Sequence, residues 1–239
     1  VLEHSDVDLV NMAYLKNSNE TAFEIFKEFG KLAHGVTLSL QSMNPDTLKA
    51  IKRDNMKSND LKELLYLSDL HGVTTYTDMI LGLPLETLES WNTGLCQLLE
   101  LGQHDRCDMY LCNVLENTEL NLKQRQQFDI KTIQSENYNP FSLSDEADIT
   151  EYAQLVTSTS TMTTDEMVHG FMYHFIIQNF HFTGYSQLLS KYCRNVLNIS
   201  YKDFYDKLYN IVSQDTGKIG EMFREQQQGV REILTHGRV

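Results

Sequence analysis

Two segments of this chain read as an apolar strand that ends in a polar residue and turns at once into a helix: GVTLSLQSMNPDTLKAIKR (35–53) and TYTDMILGLPLET (75–87). Strands separated by helices of this length pair in parallel through right-handed crossovers. Folds of that kind gather ligand groups at the carboxyl ends of their strands. Gln41, Arg53 and Asp78 are expected to meet there, an amide, a guanidinium and a carboxylate on one rim.

The surrounding sequence repeats the alternation. A strand is expected at 8–15, a helix at 20–32, the strand 36–40, and a helix capped by Asn44 with Pro45 at its first position, where a missing N–H costs nothing. A second helix starts near Asn59, buries Leu61, Leu64 and Leu65, and stops at His71-Gly72. The strand 73–81 is rich in β-branched and aromatic residues, Thr87 caps a helix carrying Trp91, Leu95, Leu98 and Leu99, and 108–115 is the last strand of the run. The expected fold is α/β: four parallel strands, about half of a TIM-like βα barrel, followed by a mostly helical region. After Leu120 the chain turns polar, with an NYNP turn at 137–140 and an acidic stretch at 145–148. The organisation read from this is a half-barrel over 1–120, a linker over 121–160 and a helical accessory domain over 161–239. In the last, 155–162 is extended, Thr163 or Thr164 caps a helix to Phe182, a helix pair covers 185–212, and the tail from Gly217 is polar and loose.

Charge and composition exclude several roles. The formal net charge is −13 with 20 Lys plus Arg, and no basic run neutralises phosphates, which argues against nucleic acid and against an anionic membrane surface. No apolar stretch approaches a membrane span and no signal peptide is seen. Four cysteines in a chain of 239 residues do not build a disulfide framework, so a cytoplasmic location is expected. The chain opens at Val1 on the approach to a strand, and a half-barrel leaves a sheet edge unpaired, so we expect a piece of a longer protein.

The rim residues have definite chemistry. The Gln41 amide offers donors and an acceptor for ribose hydroxyls or an amino-acid head group. Arg53, read on the helix after the first of these strands, suits a bidentate carboxylate clamp. Asp78 can accept from a ribose diol, and Gly82, with no Cβ, lets the backbone approach a ligand closely. Together they suit a ligand that is a nucleoside at one end and an amino acid at the other. Each also has a plain alternative, a surface ion pair for the arginine and a cap for the aspartate. His169, His174 and His181, spaced five and seven apart, are read as buried or capping rather than metal-binding. The tyrosines from Tyr185 to Tyr209 are read as packing between helices, and Lys16 and Asn17 point to the same rim as Gln41.

The stretches SLQSMNPDTLKAIKRDN (39–55) and TDMILGLPLETLESW (77–91) resemble the second half of a radical S-adenosylmethionine enzyme barrel. The oxygen-independent coproporphyrinogen oxidases and their relatives carry a Gln, an Arg and an Asp at this spacing. The nearest likeness is to a subgroup with an N-terminal cobalamin-binding domain, shared also by YLKNSNE (14–20) and IQNFHF (177–182). The resemblance implies that Gln41, Ser42, Arg53, Asp78 and Gly82 bind S-adenosylmethionine. It further implies a [4Fe–4S] cluster held by sequence before Val1, a 5′-deoxyadenosyl radical, an electron donor for the cluster, a small-molecule substrate, and cobalamin with methyl transfer if that domain is present. The family's CxxxCxxC motif is absent: Cys96, Cys107 and Cys112 have the wrong spacing, and with Cys193 are read as buried apolar residues. A cluster-free βα-barrel enzyme for a nucleotide or phosphosugar, and a non-catalytic relative that keeps the ligand rim, stand as alternatives.

Overall fold

The computed structural model describes residues 35–136 and 151–237, together with the helical positions Glu24 and Glu28, which fall inside the helix expected at 20–32. The strand expected at 8–15, Lys16 and Asn17, the NYNP turn and the acidic stretch at 145–148 lie outside the described residues.

β1 (Val36–Gln41), α1 (Pro45–Ala50), α2 (Ser58–His71), β2 (Thr75–Leu81), α3 (Leu88–Leu101) and β3 (Cys107–Leu111) follow in order, and the strands form a parallel sheet ordered β1-β2-β3. The start and stop residues act as their chemistry requires. Asn44 accepts from the Asp46 N–H, Gly72 ends α2 in the left-handed conformation, and Thr87 closes a capping box with Ser90. Along β2, Thr75, Thr77, Met79 and Leu81 are buried while Tyr76, Asp78 and Ile80 are half-buried, the period-two alternation of a strand. The buried face packs, with Val36, Leu38 and Leu40, on leucines of α2 and α3. The other face carries Ser39, Asp78 and Asp108 in one register row.

The strand expected at 108–115 is two strands. β3 stops at Leu111, and β4 (Asn113–Val114) belongs to a second, antiparallel sheet. Cys112 joins the sheets: its N–H donates to the Leu81 carbonyl (2.9 Å), and its own carbonyl accepts from the Val156 N–H (2.8 Å). The second sheet is ordered β4-β6-β5, with β5 (Lys131–Glu136) and β6 (Tyr152–Ser158). These two strands occupy the span read as a linker. KTIQSE faces solvent on much of its surface, so its composition is that of a loop while its backbone is in a ladder.

The C-terminal region is helical: α4 (Thr164–Ile176) running on through a π-type turn (Ile177–Phe182), α5 (Gln187–Val196), α6 (Tyr201–Gln214) and α7 (Lys218–His236). Thr163 and Glu166 close the capping box that starts α4. The tail expected to be loose is the 19-residue helix α7, which buries Phe223, Val230 and Leu234. α4 also packs on the first half of the chain. The Trp91 indole N–H donates to the Gly170 carbonyl (3.0 Å), and a Cβ at Gly170 would lie 3.1 Å from the Trp91 ring. Trp91, Leu81, Met167, Tyr173, Tyr205 and Phe223 lie in one continuous core. Among the described residues no helix is long and apolar enough to cross a membrane.

Candidate functional site

β1 ends in a strained turn. The Ser42 N–H donates to the Leu40 carbonyl (2.9 Å), and Gln41 between them has φ 69°, matching the rare positive-φ γ-turn. A non-glycine residue held there costs about 1–3 kcal/mol and persists only where its surroundings enforce it. The β1–β2 register also shifts between Ser39 and Gln41. The Gln41 side chain is half-buried and makes no hydrogen bond within the described residues.

Arg53 reaches the same strand end by an unexpected route. α1 stops at Ala50, so Arg53 is not on the helix but in the turn after it. The Arg53 N–H donates to the Leu48 carbonyl (2.9 Å) and the Lys52 N–H to that of Lys49 (3.2 Å), with Lys52 at φ 56°. This is a Schellman stop with lysine where glycine is usual, which hid it from the sequence. The half-buried guanidinium then folds back onto β1. Its Nη2 donates to the Ser39 carbonyl, and its Nε donates to Asn55 Oδ1 at 3.3 Å. Nη1 is left free of protein partners among the described residues, and burial draws the arginine pKa below its ordinary value.

Ser39 joins the arginine to the carboxylate. Its hydroxyl donates to Asp78 Oδ2 (2.9 Å), directly opposite on β2. Arg53 and Asp78 are thus brought to one strand end through a residue the motif reading passed over. Gln41 is two positions further along β1, beyond the register shift and opposite Met79.

Ser42 and Gly82 have close partners within the protein. Ser42 is fully buried; its hydroxyl donates to Glu86 and accepts from the Asn44 N–H (3.0 Å), while its carbonyl accepts from Asn55 Nδ2 (2.9 Å). It fixes the turn from beneath. Glu86, also missed, is buried at 1 % exposure and holds the hydroxyls of Ser42 and Ser90. Burial raises its pKa, opposed by the hydrogen bonds it accepts. A carboxylate inside the GLPLET turn was the signal that could have found it. At Gly82, with φ 96°, the space a Cβ would take lies 2.8 Å from Met167 Cε, so the close approach that requires glycine is made by α4.

An amide, a partly free guanidinium and a carboxylate with one uncommitted oxygen form a donor set that fits a ligand joining a ribose to an amino acid. The thiols do not fit a cluster. Cys96, Cys107 and Cys112 are buried, and burial pushes Cys96 and Cys112 up to about 12 and Cys107 upward as well. Among the described residues no three His, Cys, Asp or Glu side chains gather to hold a metal. The histidines are structural: His174 Nε2 donates to the Cys107 carbonyl (2.8 Å), His181 meets Tyr205 and His104, and His169 stacks on Tyr209. Tyr201, Tyr205 and Tyr209 are buried between helices, whereas Tyr185 and Tyr192 are exposed.

No family model matches the chain. Over 204 residues it is 34% identical to the cobalamin-dependent radical SAM methyltransferase TokK of Streptomyces tokunonensis, a match covering 83% of the chain and 30% of that protein. Over 205 residues it is 34% identical to the 2-(S-pantetheinyl)-carbapenam-3-carboxylate methyltransferase of Streptantibioticus cattleyicolor, covering 84% of the chain and 30% of that protein. Solved structures of the radical S-adenosylmethionine methyltransferase TsrM from Kitasatospora setae also align. One, with tryptophan and a SAM analog bound, gives a TM-score of 0.45 at 14% identity over 90% of the chain and 44% of TsrM. The chain spans about 30% of the length of the two curated relatives, and over that span it is related to the cobalamin-dependent radical S-adenosylmethionine methyltransferases.

Proposed function

We propose that this chain supplies the S-adenosylmethionine-binding strand ends of a cobalamin-dependent radical methyltransferase. The observation that carries the reading is the strained turn at Gln41 beside the Arg53–Ser39–Asp78 chain, because strain of that kind collects at ligand sites. When bound, S-adenosylmethionine supplies a transferable methyl group and the homolytic cleavage with which such enzymes activate unreactive carbon.

The residues here bind and orient. Nη1 of Arg53 takes the ligand's carboxylate, Asp78 accepts from a ribose hydroxyl through its free oxygen, and the Gln41 amide serves the ribose or the amino-acid group. Glu86 and Ser42 keep the turn in shape from below, as positioning residues. The cluster, cobalamin and an electron donor are assigned to the rest of the longer protein, since the cysteines of this chain do not fit a cluster. By relationship to the carbapenam methyltransferase, the acceptor is proposed to be a small molecule carrying a pantetheinyl thioether arm.

The test is equilibrium titration of S-adenosylmethionine into the complete protein and its Arg53→Ala and Arg53→Lys variants. Affinity is expected to fall several-fold or more in Arg53→Ala, with little recovery in Arg53→Lys, whose point charge lacks the planar fork. Unchanged affinity in Arg53→Ala would remove the assignment.

A further inference from the structure

A cleft of about 750 Å³ lies between β3, the second sheet, α4 and α7, with Met109 and Leu111 on one wall and Leu155, Phe171, Phe175 and Ile233 on the others. That is the size of a small-molecule site. Its β3 wall is a strand edge. The Thr77 N–H donates to the Arg106 carbonyl (3.0 Å) and the Cys112 N–H to that of Leu81 (2.9 Å). With the register running from Thr77↔Cys107 to Leu81↔Leu111, the residues 106, 108 and 110 turn their backbone groups to β2, as Cys112 turns its N–H. Cys107, Met109 and Leu111 turn theirs outward.

The Cys107 carbonyl is taken by His174. The N–H and carbonyl groups of Met109 and Leu111 have no partner among the described residues. The cleft is of mixed character, with Arg106, Asp108 and Glu136 beside its apolar walls, and backbone groups that face it call for a polar partner, either solvent or a ligand. A second acceptor in the same cleft is also orphaned: Gln178 Oε1 is buried without a hydrogen bond. A row of alternating donors and acceptors opposite aromatic side chains is what an extended chain of secondary amides pairs with.

We propose that this cleft docks an extended small-molecule chain bearing secondary amides, which adds to the free edge of β3 as a strand would, with Gln178 accepting from one of its N–H groups. The choice of a small molecule rests on the methyltransferase reading, in which the acceptor carries a pantetheinyl arm with its two amides.

Pantetheine is the probe, titrated into the full chain labelled with nitrogen-15. We expect shifts of the Met109 and Leu111 amide resonances and of the Gln178 region. Met109→Pro removes the outward N–H and leaves the ladder to β2 intact, since that donor is not used there. It is expected to weaken pantetheine about tenfold, a loss of roughly 1.4 kcal/mol, while Met109→Leu stays within about twofold, the span expected when packing alone is altered. Pantetheine that shifts other resonances instead, or binds Met109→Pro as well as the parent, would overturn the site. If the proline variant does not fold, the resonance map of the parent chain decides. Stronger binding of N-acetyl-trialanine amide at these resonances would replace the small molecule by a peptide. S-adenosylmethionine is titrated into the complete protein in parallel. Binding of it without pantetheine overturns the cleft alone, and pantetheine on β3 without it supports the cleft and overturns the function.

Discussion

Gln41 holds a backbone conformation that glycine adopts freely and glutamine does not. Ordinarily glycine at a strand end is less stable than alanine; here the order should reverse. Gln41→Gly is expected to be more stable than Gln41→Ala by about 1 kcal/mol in urea unfolding, while both bind S-adenosylmethionine several-fold more weakly. Equal stability of the two variants would mean that the turn relaxes and stores no strain. The motif made Gln41, Arg53 and Asp78 legible as candidates, because residue type and spacing carried them. Ser39 and Glu86 were not legible in the same way. Ser39 matters through its place in a register, opposite Asp78, and Glu86 through a burial that only the packed turn creates.

Elements with strong local chemistry were readable, and those whose stability is borrowed were not. α1, α3 and α4 begin at side-chain caps, so Asn44, Thr87 and Thr163 announced them. α7 has no side-chain cap at Gly217 and its composition is polar, yet Phe223, Val230 and Leu234, spaced seven and four apart, form an apolar stripe closed only by the helices it meets. Removing residues 217–239 should therefore unfold the body or abolish its cooperative transition, since burial of Phe223 alone is worth about 3–5 kcal/mol against truncation to alanine. A truncated chain that keeps a single sharp thermal transition near that of the parent would show that α7 is an appendage. β5 escaped notice for a related reason. An edge strand with an exposed face has no period-two apolar signal, and its ladder depends on β6, more than fifteen residues further on in the chain.

At the scale of the whole molecule, a buried polar chain ties the C-terminal helices to the turn after α3. His104 Nδ1 and His181 Nε2 lie 2.9 Å apart, and His181 Nδ1 meets the Tyr205 hydroxyl at 2.6 Å. Burial, with the charge of Lys191, draws His104 down to about 4; burial, His104 and Lys191 draw His181 down to about 3. Above about 6.5, the unfolded-state value, both histidines are neutral folded or unfolded and stability does not depend on them. Below it the unfolded chain takes up protons that the folded chain refuses. Stability should then fall by up to about 1.4 kcal/mol per pH unit for each group as the pH drops toward 4, and urea unfolding at pH 7.5, 6, 5 and 4 measures it. A flat profile would show that the pair is protonated in the fold. Sequence by itself determined the parallel βα order and the caps, and brought Gln41, Arg53 and Asp78 forward as candidates, because hydrophobic period, capping groups and motif spacing act over a few neighbouring residues. Tertiary structure alone decided that β3 breaks at Cys112 into a second sheet, that Arg53 folds back past a glycine-free stop, that Gly82 makes room for Met167, and that His181 is buried, because each depends on what a distant segment brings within a few ångströms.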